Sequence, residues 1–276
     1  MTRFISVRSK NVGGPVVRAS CLESAGGAEP GYRPIEHAVV AASVAGKDVI
    51  IGIHGFNVSR PKAVRSYVTL EGELQLTSDQ AFFGVLWPGD YWLPVVNYPA
   101  EAADAEQSGR YLAEYLDAHF AGAASVSFIS HSLGGRVLLE AVKQLGRPVR
   151  EVCITAGAVD NDCLKSQYAG AKAKAERVSV LASRKDRVLK LAYPLGDFGS
   201  DVFWNDSDNP WRGALGLKGP NPFEPPPRVR HRQIADQLGY DHGHYFPPGD
   251  GSQAPGKWRA AVAYMRRCVN GAADTW

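Results

Sequence analysis

The segment richest in chemistry is Ser125-Val-Ser-Phe-Ile-Ser-His-Ser-Leu-Gly-Gly-Arg-Val-Leu-Leu-Glu140. A mostly apolar run enters Ser130-His131-Ser132-Leu133-Gly134-Gly135, and an amphipathic helical pattern begins at once. A serine at the tip of such a sharp strand–turn–helix presents its hydroxyl at the carboxyl end of a sheet. The N–H of the next residue, at a helix N-terminus, points into the same space. So crowded a turn needs small neighbours. Gly134 supplies one, and Ser130 stands upstream where glycine is commoner. Ser132 is therefore the candidate nucleophile, and its ordinary alternative is a cap for the helix starting near Leu133.

A nucleophilic serine needs a base, a group that orients the base, and donors for a developing oxyanion. His54-Gly55-Phe56-Asn57 follows an apolar run. It can offer the N–H of Phe56 beside that of Leu133, unless it is a plain glycine turn. Seven histidines compete for the base. His242 stands in Gly239-Tyr-Asp-His-Gly-His-Tyr-Phe246, with His244 as its rival. An Asp-His-Gly-His cluster could also bind a metal, but no third His or Cys lies at ligand spacing, so no metal is expected. No cofactor is expected either. For the acid, Val180-Leu-Ala-Ser-Arg-Lys-Asp-Arg-Val188 places Asp186 just past an apolar run. A surface turn or a helix N-cap is the ordinary alternative for Asp186, and Asp160 is the alternative acid.

These residues need a scaffold, and two alternating periods describe it. Short apolar runs at 47–53, 81–87, 124–130, 152–156 and 177–182 have the pattern of buried strands. Between them, 61–72, 99–121, 133–146 and 160–174 carry helical spacing, as in Leu112, Tyr115, Leu116 and Phe120. Such alternation predicts right-handed crossovers and a mostly parallel sheet with helices on both faces. Residues before about 45 are expected to add antiparallel edge strands. Arg228-Val-Arg-His-Arg232 has the alternation of a strand with one basic face, and a last helix is expected over 255–270. A single domain over 1–276 is the expectation. Its one irregular excursion, about 193–227, is rich in Gly, Pro and aromatics, and Trp204 and Trp211 there are candidate walls of a substrate pocket.

Composition removes several function classes. Hydrophobic types at 45% with a net charge of only +3 exclude a disordered chain. The near balance of 31 basic and 28 acidic residues does not build the field of a nucleic-acid binder. No run approaches the roughly 18 apolar residues that cross a bilayer. Basic residues open the chain with no apolar stretch behind them, so no signal peptide is expected and the location is taken as cytoplasmic. The four cysteines, without CxxC, are expected as free thiols. Gly251-Ser-Gln-Ala-Pro-Gly-Lys257 mimics a phosphate-binding loop, but Trp258 replaces the required Ser or Thr. Nothing specifies an oligomeric state.

In chain order the candidates run Ser132, Asp186, His242, the nucleophile–acid–base order of the α/β-hydrolase fold. Over approximately residues 47–250 the chain resembles that superfamily. It looks most like a bacterial group of uncharacterised hydrolases sharing His-Gly-Phe-Asn, a strand end like Val85-Leu-Trp-Pro88, Ser-His-Ser-Leu-Gly-Gly-Arg-Val-Leu-Leu-Glu and Ala-Ser-Arg-x-Asp-Arg. Asp241-His-Gly-His-Tyr-Phe246 is also similar to the Asp-His-x-x-Tyr-Phe of filamentous-fungal lipases, whose histidine is catalytic, and this favours His242 over His244. The resemblance implies an α/β-hydrolase fold and a serine hydrolase of small-molecule carboxylic esters. Thioesterase and acyltransferase activities share the same residues, and a non-catalytic binding module is the remaining alternative.

Overall fold

In the run Asp48–Ile53, Val49, Ile50, Ile51 and Ile53 are all buried. A strand so apolar on both sides must lie inside a sheet covered on both faces. The computed structural model describes residues 1–11, 14–24, 32–90, 98–191, 213–221, 228–250, 256–272 and 276. Its elements are β1 (Arg3–Arg8), β2 (Val16–Ser24), β3 (Tyr32–Pro34), α1 (His37–Val44), β4 (Asp48–Ile53), α2 (Arg60–Leu74), β5 (Gln80–Leu86) and α3 (Tyr98–His119). There follow β6 (Ser125–His131), α4 (Gly134–Gln144), β7 (Val149–Thr155), α5 (Ala169–Lys174), β8 (Ala175–Ser183) and α6 (Arg187–Leu191). The last are α7 (Leu215–Lys218), β9 (Val229–Ile234), a 3-10 turn at His242–His244 and α8 (Trp258–Val269).

The strands form one sheet in the order β3-β2-β1-β5-β4-β6-β7-β8-β9. From β1 to β9 every neighbouring pair is parallel, while β2 and β3 join antiparallel at one edge. This is the α/β-hydrolase fold, a mostly parallel sheet with antiparallel N-terminal strands. Side chains of β5 alternate between two helical layers. Phe83 meets Phe120 beyond α3 at a ring separation of 5.0 Å, and Phe82 meets Tyr67 of α2 at 6.0 Å. The basic run forms β9, the far edge, with Val229 and Ile234 buried at its ends. Charges on an edge strand discourage pairing with other chains. Among the described residues no helix is long and apolar enough to cross a membrane.

Two expected elements differ. Residues 37–44 form α1 where strands were expected, because Val40 and Val44, four apart, are buried together on one helical face. The helix expected over 160–174 is confined to α5. The Asn161 N–H donates to the Gly213 carbonyl and Leu215 N–H to that of Val159. Backbone bonds drawn into the 213–221 segment cannot also close helical turns.

Tyr67 locks α2 onto the two strands that carry the sheet's centre. Gly52 and Gly84 are register partners in β4 and β5. A Cβ on Gly84 would come within 2.4 Å of the Tyr67 ring, so only glycine lets the ring lie there. The Tyr67 hydroxyl accepts the His54 N–H at 2.7 Å and donates to the Val85 carbonyl at 2.8 Å. Trp87 closes the other side, its indole N–H donating to the His54 carbonyl at 2.9 Å. Both peptide groups of His54, the first residue beyond β4, are thus held by side chains. Tyr67→Phe should leave the buried His54 N–H unpartnered and lower unfolding free energy by about 1–3 kcal/mol, read from urea midpoints. A midpoint matching wild type would show that the hydroxyl does not hold this strand end.

Candidate active site

At the end of β6 the chain turns so tightly that Ser132 takes φ +56°, in the left-handed region. A non-glycine residue there carries strain of about 1–3 kcal/mol, which the surroundings must offset. Main-chain hydrogen bonds do so. The Ser132 N–H donates to the Thr155 carbonyl at 3.0 Å, and the Ser132 carbonyl accepts from Gly135 at 2.9 Å and Ala158 at 3.2 Å. Glycine is obligatory on two sides. A Cβ on Gly134 would lie 2.4 Å from the His54 carbonyl oxygen, and one on Gly55 would lie 2.9 Å from Ser132 Cβ. Ser130 is fully buried beneath the turn, and its carbonyl accepts the Thr155 hydroxyl at 2.7 Å. Asn57 and Ala156, in loops beyond β4 and β7, also have positive φ. Three of the four non-glycine residues with positive φ among the described residues therefore lie at the carboxyl edge of the sheet, the fourth being Gln75 at the end of α2.

Three side chains connect there. Ser132 Oγ lies 2.8 Å from His242 Nε2, and His242 Nδ1 lies 2.7 Å from Asp186 Oδ2. Asp186 is fully buried after β8. Its second oxygen accepts the Leu189 N–H at 2.9 Å, so the residue also caps α6. One carboxyl oxygen thus meets the imidazole and the other the start of α6. A carboxylate beside Nδ1 fixes the imidazole with its proton on Nδ1 and leaves Nε2 free to accept from the hydroxyl.

The loops bearing Asp186 and His242 are tied to each other. The Ser183 hydroxyl donates to the Tyr240 carbonyl at 2.8 Å. The Arg187 N–H donates to Asp241 Oδ1 at 3.0 Å, and its Nε–H to Oδ2 at 2.6 Å. Asp241 also accepts the His242 N–H at 2.9 Å. Burial alone would raise the Asp241 pKa. The Arg187 and His242 N–H groups and the Arg187 guanidinium outweigh it and hold the carboxyl down at about 2. The link is therefore ionised at neutral pH.

The remaining candidates fall in different places. Leu133 is buried at the start of α4 and Phe56 is half-buried in the loop beyond β4. Neither N–H donates to an acceptor among the described residues. His244 turns away into capping, its Nδ1 accepting the Asp241 N–H at 2.9 Å. Asp160 pairs through its backbone with Ala214 in an isolated bridge, and Asp186 faces His242 instead. Trp204 and Trp211 lie outside the described residues. The described part of the excursion, 213–221, crosses the end of β7. A Cβ on Gly216 would lie 2.2 Å from the Ala156 backbone. No group of three or more His, Cys, Asp or Glu able to hold a metal occurs among the described residues, and all four cysteines are buried free thiols.

Sequence reasoning passed over Tyr67 and His131. Tyr67 carries no local signal, since only the register of Gly52 with Gly84 makes room for it. His131 was legible only as the nucleophile's neighbour, and its partner, the His242 carbonyl, lies 111 residues away.

Several solved structures are similar to this chain at low identity. Carboxyl esterase 2 from the mycorrhizal fungus Tuber melanosporum is 17% identical with a TM-score of 0.48, covering 92% of this chain and 82% of that one. Esterase PE8 is 17% identical with a TM-score of 0.43, covering 82% and 94%. Esterase B from Lactobacillus rhamnosis is 11% identical with a TM-score of 0.46, covering 98% and 86%. No functionally curated protein matched the sequence. A family model matches residues 36–198, from α1 through the Ser132 turn and past Asp186. The chain belongs to the family described as alpha/beta hydrolase of unknown function (DUF900).

Proposed function

We propose that this protein hydrolyses small carboxylic esters through an acyl-enzyme formed on Ser132. The observation that carries the reading is the unbroken chain of short contacts Ser132 Oγ–His242 Nε2–His242 Nδ1–Asp186 Oδ2, at 2.8 and 2.7 Å. Ser132 attacks the acyl carbonyl while His242 Nε2 takes its proton. Asp186 keeps the Nδ1 proton in place and stabilises the imidazolium that forms. The N–H groups of Phe56 and Leu133 receive the oxyanion, where a single donor is typically worth ~3 kcal/mol. Collapse of the tetrahedral intermediate breaks the ester C–O bond, and His242 returns the proton to the departing alcohol. Water then attacks the acyl-enzyme, giving its proton to His242. The acid leaves, and Ser132 recovers its hydrogen.

Ser132→Ala should abolish labelling by a fluorophosphonate probe and reduce turnover of a chromogenic short-chain ester by about 10³-fold or more. Activity within tenfold of wild type would place the nucleophile elsewhere. Product analysis with competing alcohols separates water from another acyl acceptor, and a parallel thioester assay separates the thioesterase reading.

His242→Ala should cost far more than His244→Ala. The first removes the group between Ser132 and Asp186, the second only a partner of the Asp241 N–H. Losses in the reverse order, in variants that fold with wild-type circular dichroism, would move the base to His244.

A further inference from the structure

His131 directly precedes the nucleophile, and none of the steps above uses it. Its Nε2 lies 2.8 Å from the main-chain carbonyl oxygen of His242. A carbonyl can only accept, so Nε2 bears a proton. The residue is half-buried, and three rings lie against its own. Tyr245 and Phe246 lie at 6.0 and 5.7 Å with their planes inclined by 26° and 29°, and the His242 ring lies 4.9 Å away. Burial first, and the neighbouring His242 second, push the His131 pKa down to about 3. At neutral pH the ring is therefore the neutral Nε2–H form. Its Nδ1 faces Gly55, where a Cβ would approach to 3.0 Å.

We propose that His131 is a positioning residue whose Nε2–H grips the main chain of His242 and delivers that imidazole to Ser132 and Asp186. The inference rests on the catalytic reading of Ser132 and His242. Consecutive residues of one strained turn hold the base at two points. Ser132 meets its imidazole and His131 meets its carbonyl, each at 2.8 Å. Asp241 holds the His242 N–H and His131 holds the carbonyl of the same residue, so the angle at which Nε2 faces the hydroxyl depends on both contacts. A His at this position therefore couples the geometry of the nucleophile turn to that of the base, although the two lie 110 residues apart.

The test compares wild type, H131Q and H131M in the full chain. The glutamine amide places an N–H near the position of Nε2, whereas methionine fills the space without a donor. With a chromogenic ester, H131M should lower kcat by about 10²-fold with KM little changed, as a misplacement near 1 Å does. H131Q should recover most of that loss. The hydrogen-bonded Nδ1 proton of His242, followed by NMR, should stay sharp in wild type and H131Q and be lost to exchange in H131M. Equal losses in H131Q and H131M, or an unchanged kcat in H131M, would overturn the proposal. If H131M does not fold, H131N takes its place, since its shorter amide cannot reach the carbonyl and should behave the same way. In the wild-type protein, nitrogen-15 spectra should show His131 as the neutral Nε2–H tautomer, and an Nδ1–H tautomer would also overturn it. Failure of the catalytic reading appears separately, as absent turnover and absent fluorophosphonate labelling in wild type. The His242 proton still reports on positioning in that case.

Discussion

The left-handed backbone at Ser132 is the constraint on which the carboxyl edge of the sheet depends. A serine in that conformation is strained, and it persists because β7 and the start of α4 hold both its peptide groups. The strain has a geometric use. It lifts the hydroxyl off the end of β6 and leaves the Leu133 N–H beside it, uncommitted among the described residues. The consequence is crowding. Gly134 lies against the His54 carbonyl and Gly55 against Ser132, so β4 and β6 must end at matching heights. Their pairing, with Ile53 opposite Ser130, sets that height.

His54 is the other side of the same joint. Tyr67 and Trp87 hold its N–H and carbonyl, so the loop carrying Phe56 leaves β4 from an anchored point. Its ring is buried, and burial pushes its pKa down to about 4, so it is neutral at physiological pH. Nδ1–H donates to the Gly55 carbonyl at 2.8 Å, which holds the first glycine of the loop as well. Arg8 and Asp90, ion-paired at 2.6 Å and almost fully buried, tie the end of β1 to the segment after β5 nearby. Removing one partner of such a pair strands a buried charge, so the arrangement is rigid even where its net worth is small.

Asp186 and His242 come from farther along the chain and are made one unit by contacts between their own loops. Asp186 spends one oxygen on α6 and the other on His242. Asp241 joins the backbone of His242 to Arg187, the residue after Asp186. The imidazole is therefore located by Asp186 at its side chain and by Asp241 and His131 at its main chain. Pre-set geometry of this kind spares the reaction the entropy of assembling its groups.

By itself the sequence determined the strand-and-helix alternation, the nucleophile turn and the chain order of the three polar candidates. Each of these is written locally. Buried strands show as apolar runs, and the turn shows as small residues between a strand and a helix. Tertiary structure decided which histidine and which aspartate meet. His242 and His244 stand two residues apart in one motif, and the choice between them depends on where a 3-10 turn aims each ring. Asp186 and Asp160 both follow strands, but only the loop after β8 lies against the loop after β9. The same holds for Tyr67, whose place depends on the register of Gly52 with Gly84, and for Asn161, whose N–H and carbonyl both bond the distant 213–221 segment rather than a helix. Local pattern carries period and turn chemistry. Side-chain pairing across 50 to 110 residues depends on strand order and register, and no local pattern encodes these.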